Sequence, residues 1–140
     1  IDIRLNNFEY FKEVYGFIAA NDVLRYTGML MGEVLDHFGT EFDFLGHAGG
    51  NNFVIITRGK RPSDVTEQII KKFNETIPTH YNFMDRQKGY IFTKNDRGEQ
   101  INYPLMTIST GTVSPETHQF SDIREITELA AEARRMESVG

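Results

Sequence analysis

The chain has 140 residues, of which 39% are hydrophobic and 12% aromatic, enough for one packed domain and too apolar for a disordered segment. Its formal net charge of −5 disfavours nucleic-acid binding, where a basic surface supplies most of the affinity. The lack of cysteine excludes disulfides and thiolate metal sites, and no apolar run approaches the roughly 20 residues of a membrane helix. We therefore expect a single cytoplasmic domain over residues 1–140, with no nucleic-acid partner and no membrane contact. Because the sequence opens inside an alternating pattern, we interpret it as a fragment of a longer protein.

The N-terminal residues have the pattern of a strand followed by helices. Apolar and polar residues alternate over residues 1–5, as in a half-buried strand. A short helical turn follows from Phe8 and ends at Gly16. Asn21-Asp22 then predicts the cap of a longer helix that ends at Gly39. The expected apolar stripe of that helix consists of Leu24, Thr27, Met31, Val34, Leu35 and Phe38.

The middle of the chain predicts two hairpins around a helix. The apolar runs Phe42–Leu45 and Phe53–Ile56 flank a turn rich in Gly and Asn, which is typical of a β-hairpin. Pro62 begins a helix that Pro78 stops. Residues 81–103 carry a second hairpin signal, which we interpret as a surface excursion, with a partner-binding hairpin as the alternative.

The C-terminal part predicts a strand and a closing helix. Leu105–Val113 is mostly apolar and β-branched, so we expect a strand at the centre of the sheet. Ser121 is expected to cap the last helix. The apolar stripe of that helix consists of Ile123, Ile126, Leu129, Ala130, Ala133 and Met136. The order of elements predicts an α+β domain with a ferredoxin-like core.

Four stretches of the chain match one known family in the expected order. They are residues 4–24, 44–56, 103–111 and 130–133. The first is anchored on Phe8 and Gly16, and the second contains the turn Gly49-Gly50-Asn51-Asn52. Together they cover nearly the whole chain and resemble the GGDEF (diguanylate cyclase) domain, with Asn-Asn where the family signature has two acids. The resemblance implies a nucleotide-cyclase-like sheet with helices packed on it.

The resemblance implies chemistry that depends on carboxylates. The family condenses two GTP molecules into cyclic di-GMP between two subunits, using magnesium held by acidic side chains. Carried over to this chain, the metal positions fall on Arg4 and Asn51, the second strand acid on Asn6, and the catalytic acid on Asn52. Two unit charges about 4 Å apart interact by roughly 4 kcal/mol near a protein surface, so exchanging acids for amides and a guanidinium weakens metal binding severely. We expect no catalytic residue, no bound Mg²⁺ and no ordinary cyclase activity.

The other ligand positions implied by the resemblance are also altered. The phosphate-side Lys falls on Glu9, and a further Lys of the last helix falls loosely on Ser138. The candidate nucleotide-binding residues are Arg4, Asn6, Lys12, Asn21, Gly49 and Gly50. The inhibitory product site of the family retains only Asp43, because Thr40 stands where the family has Arg. Asp2 lies on the same strand face as Arg4, and only a slip of register would bring it to the metal position.

The turn Gly49–Asn52 admits two interpretations. Gly and Asn favour tight turns whether or not the turn has a function. Alternatively, Arg4 replaces the metal, since a guanidinium pairs with phosphate oxygens, and nucleotide binds without magnesium and without turnover. We expect a regulatory, nucleotide-sensing or dimerisation module attached to sensor or effector domains of the same chain. The alternative is an active diguanylate cyclase, or another nucleotide enzyme with an atypical site, which would require Mg²⁺ and GTP.

Overall fold

A computed structural model describes residues 1–40, 43–58, 61–113 and 123–139. The strands are β1 (Asp2–Asn6), β2 (Phe44–Gly49), β3 (Asn52–Ile56), β4 (Tyr90–Lys94), β5 (Gln100–Pro104) and β6 (Thr107–Gly111). The helices are α1 (Phe8–Tyr15), α2 (Phe17–Phe38), α3 (Pro62–Thr76), α4 (Phe83–Lys88) and α5 (Ile123–Val139), with a 3₁₀ turn at Ile77–His80. No helix within these ranges is both long and apolar enough to cross a bilayer.

The main sheet has four antiparallel strands in the order β2-β3-β1-β6. Helices α1 and α2 connect β1 to β2, and α3 lies on the path from β3 to β6, as in a ferredoxin-like βαββαβ unit. The predicted α+β, nucleotide-cyclase-like fold class is therefore confirmed. The strand expected at the centre, β6, instead lies at the edge of the described sheet. The apolar composition of β6 reflects burial, because both α3 and α5 contact the strand. In the sequence, a strand buried by helices has the same apolar pattern as a strand at the centre of a sheet.

One face of the sheet forms the hydrophobic core. Ile3 and Leu5 of β1 are fully buried, and their antiparallel neighbours Phe53 and Ile108 share that face. The core also contains the fully buried apolar residues of α2 and α3, which are Val23, Met31, Val34, Val65, Ile69 and Phe73. Alternation along β1 therefore leaves the polar residues of the strand on the opposite face.

Helix α2 begins one turn earlier than the sequence indicated. Gly16, with φ of 92°, separates α1 from α2, and its carbonyl accepts a hydrogen bond from Ala20 N at 3.1 Å. Asn21 consequently lies inside the helix and does not cap it. The observed buried residues are Ala20, Val23, Thr27, Leu30, Met31 and Val34. Leu24 and Leu35 are half-buried and Phe38 is exposed, so the predicted stripe was displaced around the helix.

Residues 81–104 form the predicted second hairpin, β4 paired with β5, preceded by an unpredicted short helix. Asn82 caps that helix by accepting a hydrogen bond from Asp85 N at 2.8 Å. The Tyr81 hydroxyl accepts a hydrogen bond from Met106 N at 2.9 Å, and burial raises the pKa of Tyr81 to about 12. Tyr103 stacks on Tyr10 of α1 with ring centroids 3.4 Å apart. The excursion is therefore packed against the domain.

Helix α5 packs on β6 through backbone contact. A Cβ added to Gly111 would overlap the Arg134 backbone nitrogen and lie 2.5 Å from the Ala130 carbonyl oxygen. Over residues 128–136 the buried side chains are Ala130 and Arg134, whereas Met136 is exposed, so its predicted place in the apolar stripe was wrong. Leu129 and Ala133 are half-buried. The expected cap Ser121 and the side chains of Ile123 and Ile126 lie outside the described residues.

Candidate functional site

The face of the sheet opposite the core carries a row of polar side chains. It is formed by Asp2, Arg4, Asn6, Asn52, Thr107 and Ser109, which we call the polar face. Arg4 lies opposite Asn52 on one side and opposite Ser109 on the other. The register thus places Arg4 beside the β2–β3 turn, where the resemblance positions the first metal carboxylate.

The β2–β3 turn is held tightly to the end of β1. Gly49 and Gly50 have φ values of 106° and 55°, a conformation that favours glycine. Leu5 N donates to Asn51 O at 3.1 Å, and the Asn51 side-chain amide donates back to Leu5 O at 2.6 Å. His47 Nε2 donates to Gly50 O at 2.7 Å and closes the tip of the hairpin. Asn51 therefore has a structural role that an ionised carboxylate could not fill, because a carboxylate has no hydrogen to donate.

Asp2 is buried and has a partner for each carboxylate oxygen. The Asn52 amide donates to Oδ1 at 2.8 Å, and Arg134 Nε lies 2.6 Å from Oδ2 in an ion pair. The Asp2 and Arg134 side chains are 6% and 7% exposed. Arg4 pairs with Asn52 and Asp2 with Val54, so Asp2 lies two residues further from the β2–β3 turn than Arg4 does. No group of three or more His, Asp or Glu side chains in the described ranges could hold a metal ion.

The other end of the polar face is open. Arg4 is exposed, and among the described residues no hydrogen bond or ion pair engages its side chain. The Asn6 amide donates to Ser109 Oγ at 2.6 Å and to Thr107 Oγ1 at 3.0 Å. A half-buried amide and an unpaired guanidinium thus lie next to each other along β1, and an anion could approach them from solvent.

Lys12 lies away from the polar face, in a cleft of about 440 Å³ at the junction of α1 and α2. The lining residues are Glu9, Tyr10, Lys12, Glu13 and Phe17. Lys12 Nζ is 5.8 Å from the centroid of the Phe17 ring, which is 66% exposed. Asn21 does not line this cleft and is half-buried within α2. The structure therefore brings Lys12 together with Glu9 but not with Asn21. The missed residue Phe17 had one signal in the sequence, a large apolar side chain directly after the glycine that separates two helices.

Asp43 connects the end of α2 to the end of β3. Its carboxylate accepts hydrogen bonds from Thr40 N at 2.8 Å, Thr40 Oγ1 at 2.5 Å, Thr57 Oγ1 at 2.9 Å and Arg58 N at 3.3 Å. Burial raises the pKa of Asp43, but these hydrogen bonds outweigh it and hold the pKa below its ordinary value. The one retained residue of the inhibitory motif is thus engaged in local structure.

Comparison with known proteins identifies the fold. No protein-family model and no curated protein sequence matches the chain. The active GGEEF domain of a diguanylate cyclase from Vibrio cholerae superimposes with a TM-score of 0.66 at 18% identity, covering 99% of this chain and 74% of that one. The GGDEF domain of DgcB from Caulobacter crescentus, in complex with c-di-GMP, gives 0.62 at 18% identity, with 99% and 70% covered. An EAL/GGDEF domain protein from M. capsulatus gives 0.62 at 16%, with 99% and 76% covered.

The sheet topology and these matches together define the fold. The sheet order and the helices place the chain among α+β domains with a ferredoxin-like core. Within that class, the chain has the fold of GGDEF domains, as the four matching stretches predicted.

Proposed function

We propose that this chain is a catalytically silent GGDEF-type domain that acts as a regulatory module in cyclic di-GMP signalling, coupled to sensor or effector domains of the same chain. The fold shared with diguanylate cyclase domains supports the family context. The observation that carries the silent assignment is the hairpin tip, where Asn51 and Asn52 donate hydrogen bonds to Leu5 O and to Asp2. Both amides serve as donors at positions where cyclase chemistry requires acidic oxygens.

Electrostatics support the same proposal. Magnesium prefers oxygen ligands and neutralises phosphate charge during phosphoryl transfer. A divalent cation about 4 Å from the Arg4 guanidinium would be repelled by roughly 8 kcal/mol at an effective dielectric constant near 20. Asp2, the one acid among the polar-face residues, is already paired with Arg134. A metal at the tip would therefore meet a positive charge and no free carboxylate among the polar-face residues.

Incubation with GTP and Mg²⁺, followed by chromatography for cyclic di-GMP, tests the proposal. We expect no product above a control without protein, while an active diguanylate cyclase under the same conditions yields product. Product formed by this chain would overturn the proposal and support the alternative of an active enzyme with an atypical site.

A second function, binding of guanine nucleotide without magnesium, is favoured by one observation. Arg4 is exposed beside the turn, and no described residue pairs with it. A guanidinium can bind two phosphate oxygens at once, which a bound Mg²⁺ would otherwise do. In this proposal GTP binds at Arg4 and is not turned over, so the domain senses nucleotide.

Isothermal titration with GTP, with and without Mg²⁺, tests nucleotide binding. We expect heat of binding without Mg²⁺, and its loss in Arg4→Ala. The matched control is Arg97→Ala, since Arg97 is an exposed arginine in the β4–β5 turn. The absence of heat at millimolar GTP would contradict nucleotide sensing while leaving the regulatory assignment standing.

A further inference from the structure

Three polar side chains link the hairpin tip to the last helix. Asn52 lies at the start of β3, Asp2 in β1 and Arg134 in α5, and each contacts the next at 2.8 Å and 2.6 Å. The contacts use different oxygens of one carboxylate. We propose that these three residues form a polar relay that couples the conformation of the β2–β3 turn to the docking of α5.

The coupling follows from the burial of Asp2. An ionised carboxylate that is 4% exposed is tolerated only when both oxygens have polar partners. Withdrawal of the Asn52 amide leaves Oδ1 without its donor, and the carboxylate then has to rotate or admit water. Each of these changes alters the ion pair at Oδ2 and therefore acts on Arg134.

Helix α5 is sensitive to that change because Arg134 is one of the side chains that the helix buries against the sheet. Over residues 128–136 only Ala130 and Arg134 are buried. Both lie at the close backbone contact with Gly111, and Gly111 pairs with Asp2 across the β1–β6 ladder. A shift of Arg134 therefore acts at the point where the helix meets the sheet.

Through the relay, a change at the polar face is transmitted to α5. Gly111, Asp2 and Arg4 share one face of the sheet. Helix α5 covers the end of that face at Asp2 and Gly111, and the other end, at Arg4, is open. A ligand or partner that draws the Asn52 amide away from Asp2 would loosen the packing of α5 on the sheet. Conversely, displacement of α5 would release the β2–β3 turn. This inference does not require nucleotide to be that ligand, so it stands or falls independently of the titration above.

Hydrogen exchange measured by mass spectrometry at neutral pH tests the relay. In Asn52→Asp, a second carboxylate faces Asp2 and the donor is lost. We expect the α5 amides to exchange at least about tenfold faster, with the α3 amides changed less than twofold. The matched control is Asn102→Asp, the same chemical change at an exposed position of β5, where the side-chain oxygen accepts a hydrogen bond from Gln100. There we expect less than a twofold change in α5.

The opposite results would overturn the proposal. They are unchanged α5 exchange in Asn52→Asp, equal acceleration of α3 and α5, or an equal effect of Asn102→Asp on α5.

A swapped pair provides an independent check. Asp2→Asn combined with Asn52→Asp keeps one carboxylate, one amide and Arg134 in the relay. We expect α5 to exchange more slowly than in Asn52→Asp alone, because the two positions are complementary again, although Arg134 then faces an amide. If the swapped variant exchanges as fast as Asn52→Asp alone, complementarity between the two positions is not what holds α5, and the relay is wrong.

Discussion

Strand β1 presents two opposite charges on one face, two residues apart, in contrasting surroundings. Asp2 is covered by α5 and paired on both oxygens, while Arg4 is exposed and free of partners among the described residues. The strand and the face are the same, whereas the sign of the charge and the cover differ. The extent to which α5 covers the sheet therefore determines which charge has a structural role and which remains available for a ligand.

The largest expected loss of stability comes from the end of the polar face that α5 covers. We expect Asp2→Ala or Arg134→Ala to lower the free energy of unfolding by about 3–5 kcal/mol, because each leaves a buried charge unpaired. The double variant Asp2→Leu with Arg134→Met removes both charges and should lie within about 1 kcal/mol of wild type. Urea denaturation, monitored by circular dichroism, measures the free energy of unfolding of all three variants. Losses below about 1 kcal/mol in the single variants would show that the pair is not a structural anchor.

The contact that lets α5 reach the sheet is the next target. We expect Gly111→Ala to cost about 3 kcal/mol, because its Cβ would overlap the Arg134 backbone and force α5 away from β6. Gly32→Ala is the control, since no atom outside the helix backbone lies within 4 Å of the added Cβ and alanine favours a helix. The control should gain about 0.5–1 kcal/mol. Equal stability of the two variants in urea would refute the close contact.

A carboxylate outside the polar face makes a smaller contribution that depends on pH. Asp43→Asn should cost about 1–2 kcal/mol at pH 7, where the charged carboxylate accepts four hydrogen bonds. Because the folded pKa of Asp43 is lowered from 3.8, its contribution is present above pH 3.8 and is lost as the pH falls through the folded value. The gap between wild type and variant in urea should therefore narrow below pH 3.8. A gap that is constant from pH 7 to pH 3 would contradict the role of the charge.

The sequence predicts the elements around the site better than the contacts that complete it. Alternation in β1 and the Gly/Asn turn were enough to predict the strand and the hairpin, because strand period and turn chemistry are local, whereas the position of Arg4 at the hairpin tip came from the resemblance to GGDEF domains. The Asp2–Arg134 pair was missed because its two residues lie near opposite ends of the chain. The pair also buries a charged side chain of α5, where a hydrophobic stripe predicts an apolar one. A stripe chosen by hydrophobicity therefore included Met136 and passed over Arg134. The start of α2 was missed because a glycine conformation outweighed the cap signal at Asn21.

The smallest expected change in stability comes from Arg4, at the open end of the polar face. We expect Arg4→Ala to alter the free energy of unfolding by less than about 0.5 kcal/mol, because an exposed side chain without partners loses nothing on truncation. Measured in urea beside Asp2→Ala, it should show that the two losses of stability on this one strand face differ by at least about sixfold. A loss near 2 kcal/mol would mean that Arg4 is held by contacts of the folded chain. The guanidinium would then be a structural group that is not available to an anion, and the two ends of β1 would not differ in role.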